Sequence, residues 1–549
     1  MGGDHLDRRA FLGQAALLGA AALSPSPWQH GTKWLRALVP VRQAAEPFQF
    51  DEVSVTALQG EMQTGRLTSR AVTEHYLQRI ADLDGKGPAL HSIIETNPDA
   101  VSVAEELDKE RKLEGPRGPL HGIPVILKDN IDTADRMTTT AGSLALEGSI
   151  APQDAGLAAR LRAGGAVLMA KANMSEWANI RSTHSTSGWS ARGGQCRNPY
   201  ALDRNPCGSS SGSAVAISAN LGAIAVGTET DGSIVCPAST TGIVGIKPTV
   251  GLVSRAGVIP ISHTQDTAGP LCRSVADAAA LLSVMAGPDP RDGATSEARR
   301  HMQDYTKFLD PGGLRGKRLG VARAKFFGYS DVTDRMAEEA LEVLRREGAV
   351  LVDPANVPHA GEYDDAELDV LLYEFKANLA SYLKGLGAKA PVKNLHDVIV
   401  FNEQHRDREM PYFGQELFLQ AQKKGSLSSP GYVNALGKCR KLSRELGIDA
   451  VMNKHRLDAL VAPTGNPAWP TDLVNGDHFT GGSSTPAAVA GYPSVSVPMG
   501  FAFGLPMNIS FFGRAWSEPT LIRIAYAYEQ ASKHRKPPDF SPSVTLSPA

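Results

Sequence analysis

Residues 205–238 read NPCGSSSGSAVAISANLGAIAVGTETDGSIVCPA, and this stretch decides how the rest of the chain is interpreted. Three serines, 209–211, stand between two glycines, and the apolar run 214–221 after them is typical of a helix. The apolar residues 223–226 then predict a short strand, which leads into a second glycine-containing turn at Ser233. The stretch therefore predicts two serine-bearing turns, one opening a helix and one following a strand.

Both turns have a chemical and a purely structural interpretation. Helix N-termini and tight turns present backbone N–H groups, and such groups can stabilise the oxyanion of an acyl-transfer reaction. Taken alone, the first turn could equally be a serine-rich linker or cap. Ser233, taken alone, could simply cap an ordinary turn.

A lysine follows another apolar run. Residues 123–127 predict a buried strand that ends at Lys128, in the sequence Leu127-Lys128-Asp129-Asn130. Burial removes hydration from a lysine and lowers its pKa, so that the neutral amine can act as a base. The structural alternative is an ion pair between Lys128 and Asp129 at the rim of a sheet.

A serine hydroxyl becomes a good nucleophile only when a neighbouring group takes its proton. Neither serine turn contains a histidine, whereas a neutral lysine could act through a second hydroxyl. His121, His184 and His263 lie nearby in sequence, and we interpret His121 as structural. The residues thus favour a serine–serine–lysine arrangement.

Outside these motifs, strands and helices alternate from about residue 123 to 285. We predict an α/β fold with a large mixed, mostly parallel central sheet covered by helices on both faces. A helical region is inserted at about 290–450, and strands return between 457 and 512. Residues 46–545 are expected to form a single domain, and the glycine- and serine-rich loop 187–213 to be functional.

Composition excludes several classes of function. The 549-residue chain has a formal net charge of -2 and a pI near 6.7, which gives no indication of a nucleic-acid partner. Its 5 cysteines form no C-x-x-C pair, so we expect no metal site and no cofactor. An odd number argues against a full disulfide framework. One disulfide bridge stays possible, and the sequence does not indicate which cysteines would pair.

The first residues are different in character. Arg8 and Arg9 precede the apolar, alanine-rich run Phe11–Leu23, which is too short to span a bilayer comfortably. We interpret residues 1–45 as a twin-arginine-type export signal and leader, so that the protein would be periplasmic or secreted. The alternative is a buried N-terminal helix. We expect no stable membrane association.

Several ordered motifs resemble those of the amidase signature family. They extend over about residues 50–532 and comprise the stretch 208–238, GIPVILKDN at 122–130, KANMSEW at 171–177, GIKPT at 245–249 and GYPSVSVPMG at 491–500.

The resemblance implies a catalytic role for three residues. Lys128 would be the base, Ser209, on a cis peptide bond, the bridge, and Ser233 the acylated nucleophile. Backbone N–H groups would form the oxyanion hole, and they belong to Thr230, Asp231, Gly232 and Ser233. Two positions depart from the family pattern, because Cys207 and Ser211 stand where glycine is usual.

Motifs around Trp189, Tyr373 and Trp516 resemble those of the bacterial peptide amidases within this family. The resemblance implies hydrolysis of C-terminal peptide amides with release of ammonia. Aryl or fatty amides remain alternative substrates. Three alternative functions also remain. The chain could be a Ser-His-Asp hydrolase around Ser210, which satisfies G-x-S-x-G, one component of an amidotransferase complex, or a binding protein without turnover. The expected partner is a small-molecule or peptide amide; substrate-binding residues and oligomeric state are not predicted.

Overall fold

Short runs rich in Val, Ile, Leu and Ala form the strands, and nearly all of these strands meet in one sheet. The computed structural model describes residues 49–544, and within them eleven strands form the main sheet and two form a hairpin. The strands are β1 (Ile93–Thr96), β2 (Pro124–Lys128), β3 (Val167–Ala172), β4 (Trp189–Ser190), β5 (Gly194–Gln195), β6 (Ile224–Glu229), β7 (Val244–Lys247), β8 (Thr267–Cys272), β9 (Arg318–Val321), β10 (Val350–Val352), β11 (Ala459–Pro463), β12 (Ser494–Ala502) and β13 (Leu505–Phe512).

The main sheet has the order β1-β3-β2-β6-β8-β7-β12-β13-β11-β9-β10. Parallel pairing runs through two blocks of three strands, β3-β2-β6 and β11-β9-β10. Antiparallel pairs connect the strands between these blocks. The predicted large mixed sheet is confirmed.

Strands β2, β3, β6, β7, β8 and β11 are buried at every position. A strand buried throughout must be covered on both faces of its sheet, which explains why these runs are continuously apolar instead of alternating. Helices provide that cover, as predicted. They are α1 (Val55–Gln63), α2 (Ser69–Leu83), α3 (Ala100–Glu114), α4 (Gly156–Ala163), α5 (Ser211–Ser218), α6 (Val235–Thr240), α7 (Val275–Met285), α8 (Ala298–His301), α9 (Asp331–Arg346), α10 (Asp364–Gly385), α11 (Leu395–Gln404), α12 (Arg406–Glu409), α13 (Glu416–Lys423), α14 (Pro430–Arg440), α15 (Asp449–His455), α16 (Thr485–Ala490) and α17 (Glu518–Ser532).

The inserted region is helical over most of its length but not throughout. Within the predicted range 290–450, β9 and β10 extend the main sheet at one edge, next to β11. The helices α10, α11 and α13 share an apolar cluster with the core, in which Phe375 and Phe418 pack near Trp177. This cluster fixes the insert against the segment that follows β3.

Residues 50–544 of the described part belong to one compact unit. The predicted export signal, residues 1–45, lies outside the described residues. Within the described part, no helix combines the length and apolarity that a membrane crossing requires.

Candidate active site

The site forms where neighbouring parallel strands end. Strands β2 and β6 pair in parallel, with Leu127 opposite Val226. Their carboxyl ends, where ligands bind in open α/β sheets, therefore lie at one edge. Lys128 is the last residue of β2, and Ser233 follows the end of β6 by four residues.

Lys128 is fully buried and its amine has three polar neighbours. Nζ lies 2.8 Å from Ser209 Oγ, 2.9 Å from Thr228 Oγ1 and 3.2 Å from the Thr228 carbonyl oxygen. The alternative pairing with Asp129 does not occur. That carboxylate instead accepts hydrogen bonds from Thr140 and from a backbone N–H.

The environment favours the neutral form of this amine. Loss of hydration on burial lowers the pKa of Lys128 to about 7, and the nearby carboxylates Asp266 and Glu229 oppose that shift only in part. A pKa near neutrality lets this amine give up and take back a proton in the neutral pH range.

Ser209 opens the first serine turn, and it is also fully buried. The peptide bond between Gly208 and Ser209 is cis, as the family resemblance implies. The Ser175 N–H donates to the Ser209 carbonyl oxygen over 3.1 Å. A Cβ on Gly208 would lie 2.1 Å from Ser175 Oγ, so only glycine fits there.

The second turn lies against the first, because the Ser210 N–H donates to the Ser233 carbonyl oxygen over 3.1 Å. Ser233 is 8% exposed, whereas Ser209 and Lys128 are 0% exposed. Gly232 takes φ +78, and this left-handed conformation favours glycine. Exposure thus decreases from Ser233 to the inner hydroxyl and the amine.

Backbone N–H groups around Ser233 fall into two sets. Those of Ile234 and Val235 donate to the buried Glu229 carboxylate over 2.8 and 3.0 Å. Within residues 49–544, none of the N–H groups of residues 230–233 donates to a protein acceptor. These four residues are the predicted oxyanion hole, and the fold leaves their donors available.

Three buried or half-buried carboxylates surround the turn at Ser233. Asp266 Oδ1 accepts from Thr230 Oγ1 over 2.6 Å, and Asp231 Oδ2 accepts from Thr485 Oγ1 over 2.6 Å. Burial raises the pKa of Asp266 to about 6 and also raises the pKa values of Asp231 and Glu229. Sequence reasoning missed Asp266, which stands directly before β8 and carries no local motif.

A disulfide joins the two serine turns, between Cys207 and Cys236. The sequence left one bridge possible, and this pair forms it. Cys196, Cys272 and Cys439 are free and buried. The fold brings the two thiols together across 29 residues of chain, and sequence spacing alone gave no sign of this contact.

The geometry does not favour a Ser-His-Asp site at Ser210. Its hydroxyl donates to the Thr228 carbonyl oxygen over 3.0 Å and accepts from the Thr228 N–H over 3.2 Å. His121 has a structural role, as interpreted, since its ring contacts the Leu107 carbonyl oxygen at 2.9 Å. His184 lies beside Glu416 at the surface.

A wall of aromatic and charged residues joins the 187–213 loop to the insert. The fully buried Arg181 contacts Glu176 at 2.5 Å and Glu409 at 3.7 Å, and its guanidinium lies over the Phe413 ring. Trp189 packs edge-to-face on Phe413, with 5.2 Å between ring centroids.

Asp266 also borders a cavity of about 490 Å³. Its lining includes Arg255 and the α10 residues Asn378 and Tyr382, but neither Ser209 nor Ser233. The described residues contain no cluster of His, Cys, Asp and Glu side chains suited to hold a metal ion.

Comparison with known proteins places these features in context. The sequence model of the Amidase family matches residues 71–522. A probable amidase of Arabidopsis thaliana is 45% identical over 503 residues, which are 90% of this chain and 92% of that protein. A glutamyl-tRNA(Gln) amidotransferase component of Symbiobacterium thermophilum is 36% identical over 488 residues, 86% of this chain and 95% of that one. The crystal structure of native peptide amidase from Stenotrophomonas maltophilia superposes with a TM-score of 0.87 at 53% identity, covering 90% of this chain and 100% of that one.

Proposed function

Because the chain belongs to the amidase family and is an amide-hydrolysing enzyme, we propose that it works through a relay of Lys128, Ser209 and Ser233. One observation carries the proposal: a fully buried amine lies 2.8 Å from a buried serine hydroxyl. That hydroxyl belongs to a turn hydrogen-bonded to the turn of the more exposed Ser233.

The neighbours of Lys128 explain how the neutral amine would be oriented. A neutral amine has two N–H groups and one lone pair. The Thr228 carbonyl oxygen can only accept, and Thr228 Oγ1 offers a second acceptor, so both N–H groups are engaged. The lone pair is then directed to Ser209 Oγ, as a base requires.

Catalysis would proceed in two stages. As Ser233 attacks the amide carbon, its proton passes to Ser209 while the Ser209 proton passes to Lys128. The N–H groups of residues 230–233 stabilise the oxyanion, each donor contributing about 3 kcal/mol by analogy with other hydrolases. The relay returns the proton to the leaving nitrogen, ammonia departs, and Ser233 holds the acyl group. Water then attacks the ester, and the relay shuttles its proton back to Ser233.

For the substrate we propose the C-terminal amide of peptides. A peptide amidase at 53% identity over nearly the whole chain supports this class. The buried wall of Arg181, Trp189 and Phe413 fixes the 187–213 loop against the insert.

A substrate panel with ammonia release as readout tests this proposal. Peptide amides should give a kcat/KM at least about tenfold above that of fatty amides. For aryl anilides, the release of aniline is monitored instead of ammonia. A preference for anilides or fatty amides would refute the peptide-amide assignment and leave the relay intact.

The amidotransferase alternative has support from the relative at 36% identity. An amidotransferase component of this kind works in a complex, whereas the proposed amidase needs no partner. The purified chain alone should release ammonia from peptide amides at full rate. Dependence on added partner proteins or on tRNA would favour the alternative.

We also propose that the protein is exported by the twin-arginine route, because Arg8 and Arg9 precede an apolar run in the sequence. Replacing both with lysine should keep the amidase in the cytoplasm of a twin-arginine-competent bacterium. Unchanged export of that variant would refute the route.

A further inference from the structure

The disulfide connects the two serine turns near the reacting hydroxyls. Cys207 precedes the Gly208–Ser209 pair, and Cys236 stands three residues after Ser233. The bridge thus closes a loop that contains both serines, helix α5 and strand β6. Motion of one turn relative to the other must deform this loop.

Besides the bridge, the packing of this buried region and several hydrogen bonds hold the two turns together, including the pair between Ser210 and Thr228. The Ser210 N–H donates to the Ser233 carbonyl oxygen over 3.1 Å, and Thr240 Oγ1 donates to the Pro206 carbonyl oxygen over 2.6 Å. Individual hydrogen bonds contribute little net free energy and can open transiently. A proton relay tolerates little displacement, because its atoms must stay within hydrogen-bond reach.

The backbone at Cys207 is itself unusual. Its φ is +58, in the left-handed region that favours glycine. A side chain at this position is therefore unfavourable unless it makes a compensating interaction. The bond to Cys236 is such an interaction, so the cysteine is better explained by its bridge than by its backbone.

Thiol chemistry on the folded protein is confined to this bond. Cys236 is partly exposed and Cys207 is 6% exposed, which gives a reductant access from the Cys236 side. The three free cysteines are buried, and burial raises the pKa of each thiol. Buried thiols of raised pKa react slowly.

We propose that Cys207 and Cys236 are positioning residues for the relay, and that their disulfide makes amide hydrolysis dependent on an oxidising environment. A dithiol would supply two electrons and two protons, become a disulfide itself, and leave two thiols at Cys207 and Cys236. The freed turns would then separate Ser209 from Ser233 part of the time. The inference rests on the proposed function, since it assumes that these serines exchange a proton.

The experiment compares the oxidised and the dithiothreitol-reduced enzyme on one peptide amide. Mass spectrometry of alkylated peptides confirms that only the Cys207–Cys236 bond has opened. Reduction should lower kcat about tenfold or more and change KM less than about threefold, because positioning acts on the chemical step. Reoxidation should restore the rate. The double variant C207S/C236S should have the kcat of the reduced enzyme, and dithiothreitol should not change it. Cys439→Ala should behave as wild type.

Two further readouts separate positioning from folding and from the choice of substrate. Circular dichroism and thermal melting show whether the reduced chain is folded at the assay temperature. A loss of rate that only follows unfolding would overturn the inference. The rate at which a fluorophosphonate labels Ser233 reports its reactivity without any amide. Equal labelling of the oxidised and the reduced enzyme would overturn the inference, even if the chain hydrolysed a different amide. Oxidised enzyme that is labelled rapidly but cleaves no peptide amide would refute only the substrate assignment.

Discussion

Changing the pH between 5 and 9 directly perturbs the protonation of Lys128. Desolvation lowers its pKa from 10.5 to about 7, a difference worth about 5 kcal/mol. An exposed lysine would be neutral in fewer than about one molecule in a thousand at pH 7. Burial therefore raises the amount of free base by about three orders of magnitude.

The sign of the pH dependence follows from the role of the amine as a base. Below the pKa, Lys128 is an ammonium ion and cannot accept the Ser209 proton. We expect kcat/KM to fall about tenfold from pH 8 to pH 6, and to be level above about pH 8. Initial rates of ammonia release at low substrate concentration, with folding monitored by fluorescence at each pH, provide the measurement.

Two results would refute this reasoning. One is a kcat/KM that stays constant from pH 5 to 9, and the other is a rise that continues with a midpoint near 10. The variant Lys128→Met provides the control, because it keeps an unbranched side chain and removes the base. Its activity should fall at least about a hundredfold, and the residual rate should lack the midpoint near 7.

Three substitutions probe other parts of the account. Thr228→Val removes one acceptor of Lys128 at constant shape, so kcat should fall about tenfold with little change in KM; an unchanged kcat in steady-state assays would contradict the orientation of the lone pair. Gly232→Ala places a Cβ on a residue with φ +78, 3.1 Å from Ser484 Oγ. This should displace the backbone N–H groups of residues 230–233 and lower kcat about a hundredfold, and wild-type turnover would show that these groups do not stabilise the oxyanion. Arg181→Met leaves Glu176 and Glu409 buried without their cation, so the free energy of unfolding in urea should drop by about 3–5 kcal/mol. The loss should shrink at pH 5, where protonation discharges Glu176, because burial raises the pKa of this carboxyl group; a loss below about 1 kcal/mol at neutral pH would show that the network is not stabilising.

Local patterns in the sequence predicted the parts of the site that depend on neighbouring residues. The apolar run before Lys128 indicated a buried strand end, and β2 ends at that residue. The glycines around Ser209 and Ser233 indicated two turns, and both are present.

Contacts between distant segments could not be read in this way. Asp266 reaches the Thr230 side chain from 36 residues away, and the strands β9 and β10 join the sheet only because β11 returns beside them. Cys207 and Cys236 were visible as residues, but their pairing depends on how the two turns approach each other. Such features follow from tertiary packing, and a pattern in one stretch of chain does not contain them.

The most direct test of the central claim identifies the residue that becomes acylated. The enzyme would be mixed with a slowly deacylating ester that carries the acyl group of the peptide-amide substrate. The reaction would be quenched in acid within the burst phase, and the modified residue would be located by mass spectrometry. The account predicts one acyl group on Ser233, and none in the Ser233→Ala variant. An acyl group on Ser210 or on any other residue, or a burst that persists in Ser233→Ala, would contradict it.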